Sequence, residues 1–153
     1  MTPEIARNLA INGWELPPAL APKYAYQSVT REGNLAYVSG QIPKLDGAVV
    51  HTGPVTDNDI DRGIHAAELC ALNLLAQLEA HVGLENIRTI LKLNGYVSSG
   101  EGFTRQPEVI DGASKLIRAV LDDAGGHART ALPATNLPGD ATVEIELIVA
   151  TNA

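Results

Sequence analysis

The sequence predicts an α/β fold in which two long helices cover one face of a mixed sheet. Along the chain, runs of alternating apolar and polar residues, typical of strands, are separated by two stretches whose apolar residues recur every three or four positions, as in helices. Of the 153 residues, 45% are hydrophobic and only 4% are aromatic, so we expect an aliphatic core. No internal repeat, low-complexity tract or composition shift marks a boundary, which predicts a single domain over residues 1–153.

The N-terminal segment, residues 1–22, is predicted to be a short helix and a connector that precede the core at residues 23–150. Thr2 can cap the helix, and Pro3 suits the first helical position. Three prolines follow within a few residues, and they are incompatible with a helix or an inner strand.

Two strands are predicted next, at Tyr24–Thr30 and Leu35–Gln41. Residues 31–34 contain Gly and Asn and are typical of the turn of a β-hairpin. The polar, glycine-bearing stretch Pro43–Pro54 is predicted to be a loop.

The apolar periodicity then predicts two helices with a strand between them. The first helix is expected over Asp57–His81 with Thr56 as its cap, and the strand over Ile87–Val97. The second helix is expected over about Gln106–Asp122, with Pro107 at its start.

Two last strands are predicted at Ala128–Thr135 and Thr142–Val149, joined by residues 136–140. The order is therefore β-β-α-β-α-β-β after a short helix. If the last two strands pair as simple neighbours, Arg129 lies opposite residue 148 and Glu144 lies on the order of 13 Å away.

One face of this sheet has no helix left to cover it, since two helices cover a single face. On that face the final strand carries Glu144 and Glu146 together with Ile148, a mixture too apolar for a purely solvated surface. An oligomer built through this face would cover it and create clefts between subunits. The alternative is a monomer with one solvated sheet face, as in many antiparallel sheets.

Charge and composition exclude several classes of protein. Eleven Lys and Arg against 18 Asp and Glu give a net charge of −7, which argues against nucleic-acid binding. The single cysteine, Cys70, fits a reducing compartment, and no stretch approaches the ~20 apolar residues of a membrane helix. We therefore expect a soluble cytoplasmic protein.

No familiar nucleophile, phosphate-binding or metal-binding motif occurs in the sequence, and the four histidines are scattered. Arg129 begins a strand of small apolar residues, and no acidic residue follows within four positions. Its planar guanidinium is suited to a carboxylate-bearing ligand. The alternative is a salt bridge to a distant acid such as Glu144.

Short motifs spread from about Tyr26 to Ala150 together carry a resemblance to one family. They are Tyr26, the Gly33-Asn34 turn, Ser39-Gly40-Gln41-Ile42-Pro43, Asn73-Leu74-Leu75-Ala76, Phe103, Ala128-Arg129-Thr130, Leu137-Pro138 and Val143-Glu144-Ile145-Glu146. The chain resembles the Rid family of reactive-intermediate imine/enamine deaminases, also called the YjgF family and long known as endoribonuclease L-PSP.

The resemblance implies a chorismate-mutase-like fold and a homotrimer with ligand clefts between subunits. It implies hydrolysis of 2-imino and enamino acids, such as the imine derived from 2-aminoacrylate, to a 2-keto acid and ammonia without a metal or organic cofactor. By position, Arg129 would hold the carboxylate of the substrate, and Glu144 would act on the attacking water. Tyr26, Ser39 and Gly40 would line the cleft.

The chain departs from the archetypal deaminases at several positions. His127 and Ala131 replace the Pro and Cys of the Pro-Ala-Arg-Ser-Cys motif, and the Asn-x-x-Tyr segment after Phe103 is absent, which indicates a divergent branch. A trimeric small-carboxylate-binding protein without the chemistry is the alternative function. A ribonuclease is disfavoured by the charge of −7. Arg129 and Glu144 can cooperate only if their strands are not simple neighbours or if one comes from another subunit.

Overall fold

A five-stranded sheet with helices on one face is the framework of the computed structural model, which describes residues 1–152. In chain order the elements are α1 (Pro3–Ile11), β1 (Val29–Glu32), β2 (Leu35–Gln41), β3 (Lys44–Leu45), β4 (Ala48–Val49), α2 (Ile60–His81), β5 (Ile87–Ser98), α3 (Gln106–Leu121), β6 (Ala128–Ala134) and β7 (Val143–Thr151). The sheet order is β1-β2-β7-β5-β6. β5 and β6 are parallel, and the other pairs are antiparallel. The predicted mixed α/β fold is confirmed.

The core is aliphatic, as the composition predicts, and lies between the helices and one face of the sheet. The apolar stripes of α2 and α3 contribute Leu74, Leu78 and Ile110, each fully buried. Leu93 of β5 and Ile145 of β7 meet them from the sheet and are also fully buried. Burial of one such side chain stabilises the fold by roughly 1.5–3 kcal/mol, so this layer fixes the sheet on which the polar residues are mounted.

The first strand begins later than the alternation predicts. Residues 24–28 lie outside the sheet, because the Tyr26 amide donates to the Tyr24 carbonyl (2.9 Å) in a tight turn. The strand also ends later than predicted, at Glu32, so the hairpin turn consists only of Gly33 and Asn34. Gly33 adopts a left-handed φ of 57°, which favours glycine.

Two further boundaries differ from the prediction. Helix α2 begins at Ile60 rather than Asp57, because Thr56 and Asp59 close a separate turn: the Asp59 amide donates to the Thr56 carbonyl (3.2 Å), and Asp59 Oδ1 accepts from the Thr56 amide (2.7 Å). The predicted loop at Pro43–Pro54 contains the small hairpin of β3 and β4.

The last two strands are not neighbours, because β5 lies between them. Leu93 of β5 is in register with Arg129 on one side and Leu147 on the other. The face opposite the helices is uncovered within the chain, and Tyr37 and Leu132 are each 47% exposed. No helix within residues 1–152 is long and apolar enough to cross a membrane.

Candidate functional site

A cavity of about 340 Å³ opens where β2 leaves the sheet. Its wall combines seven residues of the segment 20–28, the end of β2, Asn73 of α2 and Glu144 of β7. The β2–β7 register shifts between Val38 and Gln41, which is a bulge that interrupts the ladder. The interruption brings the backbone of β2 against a side chain of β7.

The close approach is between Gly40 and Glu144. A Cβ atom at Gly40 would overlap Oε1 of Glu144, and it would lie only 3.0 Å from Cδ and 3.1 Å from Cγ. Glycine is therefore required for the carboxylate to lie against β2 in this position. This contact gives a physical reason for the glycine of the Ser-Gly-Gln motif.

The Glu144 carboxyl is in an environment that favours its neutral form. Burial, and to a smaller extent the charge of Glu146, raises its pKa above the ordinary value. Glu146, two residues along the same strand, instead accepts hydrogen bonds from Asn94 Nδ2 (3.1 Å) and the Tyr96 hydroxyl (3.3 Å). Of the two glutamates, Glu144 is thus the one suited to exchanging a proton.

The other predicted cleft residues divide between the cavity and its support. Tyr26 lines the cavity and is 51% exposed. Ser39 lines a separate groove of about 220 Å³ that also contains Tyr37 and Glu146. The Ser39 hydroxyl donates to the Gln27 carbonyl (2.6 Å), so it anchors the segment that carries Tyr26.

Arg129 is paired with an acid that the sequence analysis did not identify. Its Nη1 donates to Asp111 Oδ1 (2.6 Å) and to Ser114 Oγ (3.3 Å), both on α3, and its Nη2 donates to the Pro107 carbonyl (3.3 Å). The salt bridge to a distant acid therefore forms, with Asp111 in place of Glu144. Asp111 and Ser114 are three residues apart on one helix face, but nothing in the sequence shows that this face meets β6.

His127 extends this network. Its Nδ1 contacts the Gly125 carbonyl (2.7 Å) and its Nε2 contacts Ser114 Oγ (2.8 Å). Because a carbonyl can only accept, Nδ1 carries a proton, and in the corresponding tautomer of the imidazole Nε2 accepts from the Ser114 hydroxyl. Ser114 then accepts from Arg129, so the chain of bonds fixes the rotation of the guanidinium.

One edge of the guanidinium remains available. Within residues 1–152 the acceptors around Arg129 engage Nη1 and one proton of Nη2, and none engages Nε. A carboxylate can bind the Nε–Nη2 edge through two parallel hydrogen bonds. The ion pair with Asp111 thus orients Arg129 and leaves its Nε without an acceptor among residues 1–152.

Arg129 and Glu144 do not form one site within a single chain. Arg129 is in register with the buried Leu93 and contacts α3, whereas Glu144 is in register with Tyr96 on the other face of β5. Their Cα atoms are on the order of 14 Å apart, two strands across and three residues along. A site that uses both residues needs a second chain.

Among residues 1–152, no three His, Cys, Asp or Glu side chains are grouped as a metal site. Cys70 is fully buried, and burial raises the pKa of its thiol well above the ordinary value. It therefore packs as a small apolar side chain.

Comparison with known proteins gives relatives over nearly the whole chain. Protein TCP17 of Trypanosoma cruzi is 38% identical over 151 residues, which are 97% of this chain and 94% of the relative. The crystal structure of Atu1372 from Agrobacterium tumefaciens, a protein of unknown function, is 45% identical with a TM-score of 0.89, over 97% of this chain and 93% of that one.

A crystal structure from Shewanella oneidensis, named for a proposed endoribonuclease activity, is 28% identical with a TM-score of 0.90 over 95% of this chain and 98% of that one. The family model described as endoribonuclease L-PSP matches residues 17–151. This match includes β1 to β7, the cavity and the Arg129 network. The chain therefore belongs to the endoribonuclease L-PSP family, the YjgF or Rid family that its motifs resemble.

Proposed function

We propose that the protein hydrolyses 2-imino acids and their enamine tautomers to 2-keto acids and ammonia, without a cofactor, in clefts between the chains of a homotrimer. The observation that carries the proposal is the Glu144 carboxyl, half-buried in the cavity wall against Gly40 with a raised pKa. It is a proton-transfer group beside a space that fits a small substrate.

The chemistry requires only a held substrate, a water and a proton shuttle. Glu144 takes a proton from water as the water oxygen bonds to the electrophilic imine carbon, and it then gives this proton to the imine nitrogen. The carbinolamine collapses as Glu144 moves the hydroxyl proton to the amine nitrogen: the C–N bond breaks, ammonia leaves, and the keto group forms. A carboxyl with a raised pKa serves both as base and as acid in these steps.

In the proposed trimer, Arg129 of one chain holds the substrate carboxylate in the cavity of the next chain. Three features support this arrangement: the Arg129 Nε, which has no acceptor among residues 1–152, the edge position of β6, and the uncovered sheet face that carries Tyr37 and Leu132. Orientation by a bidentate arginine accounts for a large share of the catalysis in such a mechanism.

We also propose that the chain represents a divergent branch of the family. Its support is the network in which His127, at the position of the archetypal proline, fixes Arg129 through Ser114. This network gives the departure from the archetypal motif a physical role.

The test compares Glu144→Gln with Glu146→Gln, which removes the same charge from the same face of the same strand. With 2-iminopropionate generated in situ, Glu144→Gln should lower keto-acid release by roughly 10²–10⁴-fold. The affinity for pyruvate should stay within about threefold, because shape and most hydrogen bonding persist. Glu146→Gln should change the rate by only a few-fold.

Three results would contradict the proposal. Unchanged turnover in Glu144→Gln would remove Glu144 from the chemistry. Binding of pyruvate by the wild-type protein without any turnover of imine would identify a carboxylate-binding protein. Cleavage of RNA that depends on Glu144 would favour the nuclease activity for which some relatives are named.

A further inference from the structure

The cavity contains a concentration of positive charge that imine hydrolysis does not require. Lys23 and Lys44 both line it, although the chain has only four lysines and a net charge of −7. Half of the lysines of an acidic protein therefore line one cavity, and among residues 1–152 Glu144 is the only acidic residue that lines it.

The backbone near both lysines is fixed by helix α2. Gln77 Nε2 donates to the Leu20 carbonyl (2.8 Å), and Asn73 Nδ2 donates to the Lys44 carbonyl (3.0 Å). Gln77 and Asn73 are one helical turn apart and are only 2% and 7% exposed. The lysine-bearing segments are thus attached to the core beside the cavity.

The two ammonium groups are not neutralised by the protein. Neither lysine takes part in a salt bridge among the described residues. Glu144 forms no salt bridge with either lysine, and the pKa of its carboxyl is raised by burial and by Glu146. The cavity therefore separates a protonatable carboxyl from free positive charge.

We infer that Lys23 and Lys44 form a second anion-binding subsite, and that the substrate class is the 2-imino dicarboxylic acids. One carboxylate binds Arg129 of the neighbouring chain, the imine lies at Glu144, and the second carboxylate lies between the lysines. The inference rests on the proposed function. A carboxylate fits better than a phosphate because no α-helix within residues 1–152 begins at the cavity, and phosphate sites commonly use the N-terminus of such a helix.

The experiment compares two imines of equal chain length, 2-iminoglutarate and 2-iminopentanoate, generated in situ from glutamate and norvaline. The variant is Lys44→Gln, and the matched control is Arg7→Gln, which removes the same charge from an exposed position on α1. We expect wild-type kcat/KM to favour the dicarboxylate. Lys44→Gln should lower that preference by about five- to tenfold, and Arg7→Gln should preserve it.

A wild-type protein that hydrolyses both imines equally, or a Lys44→Gln variant with an unchanged preference, would overturn the subsite while leaving the proposed function intact. If neither imine is hydrolysed, the proposed function fails, and calorimetry with 2-oxoglutarate and 2-oxopentanoate still decides the subsite. Tighter binding of 2-oxoglutarate that weakens in Lys44→Gln supports it, and equal binding of the two keto acids refutes it.

Discussion

Replacing Gly40 by alanine moves the Glu144 carboxyl without removing it. Gly40 has no left-handed φ, so alanine is compatible with the backbone. The new methyl would overlap Oε1 and approach Cδ to 3.0 Å, below ordinary contact distances. The obstructing atoms belong to the end of a flexible side chain, so the carboxyl retreats by about 1 Å while the strand stays in place, a displacement large enough to matter for catalysis.

The structure predicts a small change in stability and a large change in rate. A shifted Glu144 rotamer destabilises the folded state by about 0.5–1.5 kcal/mol. Alanine also lowers the conformational entropy of the unfolded chain relative to glycine, which stabilises the protein by about 0.4–1 kcal/mol. The free energy of unfolding should therefore change by less than about 1 kcal/mol. Imine hydrolysis should fall by about 10²-fold, the usual cost of a 1 Å misplacement.

Denaturant unfolding and imine turnover measure the two effects separately. Gly126→Ala is the matched control, because its new methyl would meet only the Asp123 carbonyl, at 3.5 Å. The effect acts through Glu144, so adding Gly40→Ala to Glu144→Gln should lower the residual rate little further. Full activity in Gly40→Ala, or a loss of several kcal/mol of stability, would refute this reasoning.

Other expectations concern Arg129, assembly and pH. Arg129→Lys should weaken pyruvate binding by at least tenfold, since an ammonium cannot form the two-bond edge contact; wild-type affinity in this variant would leave Arg129 as only a partner of Asp111. Light scattering should report a trimer of about 48 kDa from chains of 16.1 kDa, and a monomer at micromolar concentration would remove the shared cleft. The pKa of Glu144 is raised above 4.5, so the native state binds more protons than the unfolded state above that pH. Wild-type stability should consequently fall relative to Glu144→Gln as pH rises from 4 toward 7, and parallel stability curves would contradict this.

The sequence predicted what depends on local periodicity. Alternation and 3.6-residue stripes located both long helices and all five strands of the sheet, since the apolar pattern of each element is set by the face that it buries. The predicted start of β1 was wrong because Tyr24 and Tyr26 continue the alternating pattern, although their backbone groups form a hydrogen bond within a tight turn.

Contacts between distant elements could not be predicted in this way. Asp111 and Arg129 are 18 residues apart, and their ion pair depends on how α3 crosses the edge strand β6. The placement of β5 between the last two strands likewise depends on the whole sheet. Because of it, Arg129 and Glu144 lie on strands that are not neighbours and on opposite faces of the sheet. The family motifs pointed to Glu144 and Gly40 as site residues, but the contact between them could be identified only from the three-dimensional structure.

The position of β5 between β6 and β7 determines which subunit's cleft a mutation of Arg129 would impair. In the proposed cyclic trimer, each cleft would take its arginine from one chain and its glutamate from the next, because β5 keeps the two residues apart within a chain. A chain that lacks Arg129 would then impair its neighbour's cavity and not its own. A ring that mixes chains without Arg129 and chains without Glu144 always retains one intact cleft. Equal random mixing of two inactive proteins would therefore restore about a quarter of the wild-type clefts, so the two defects are complementary rather than additive.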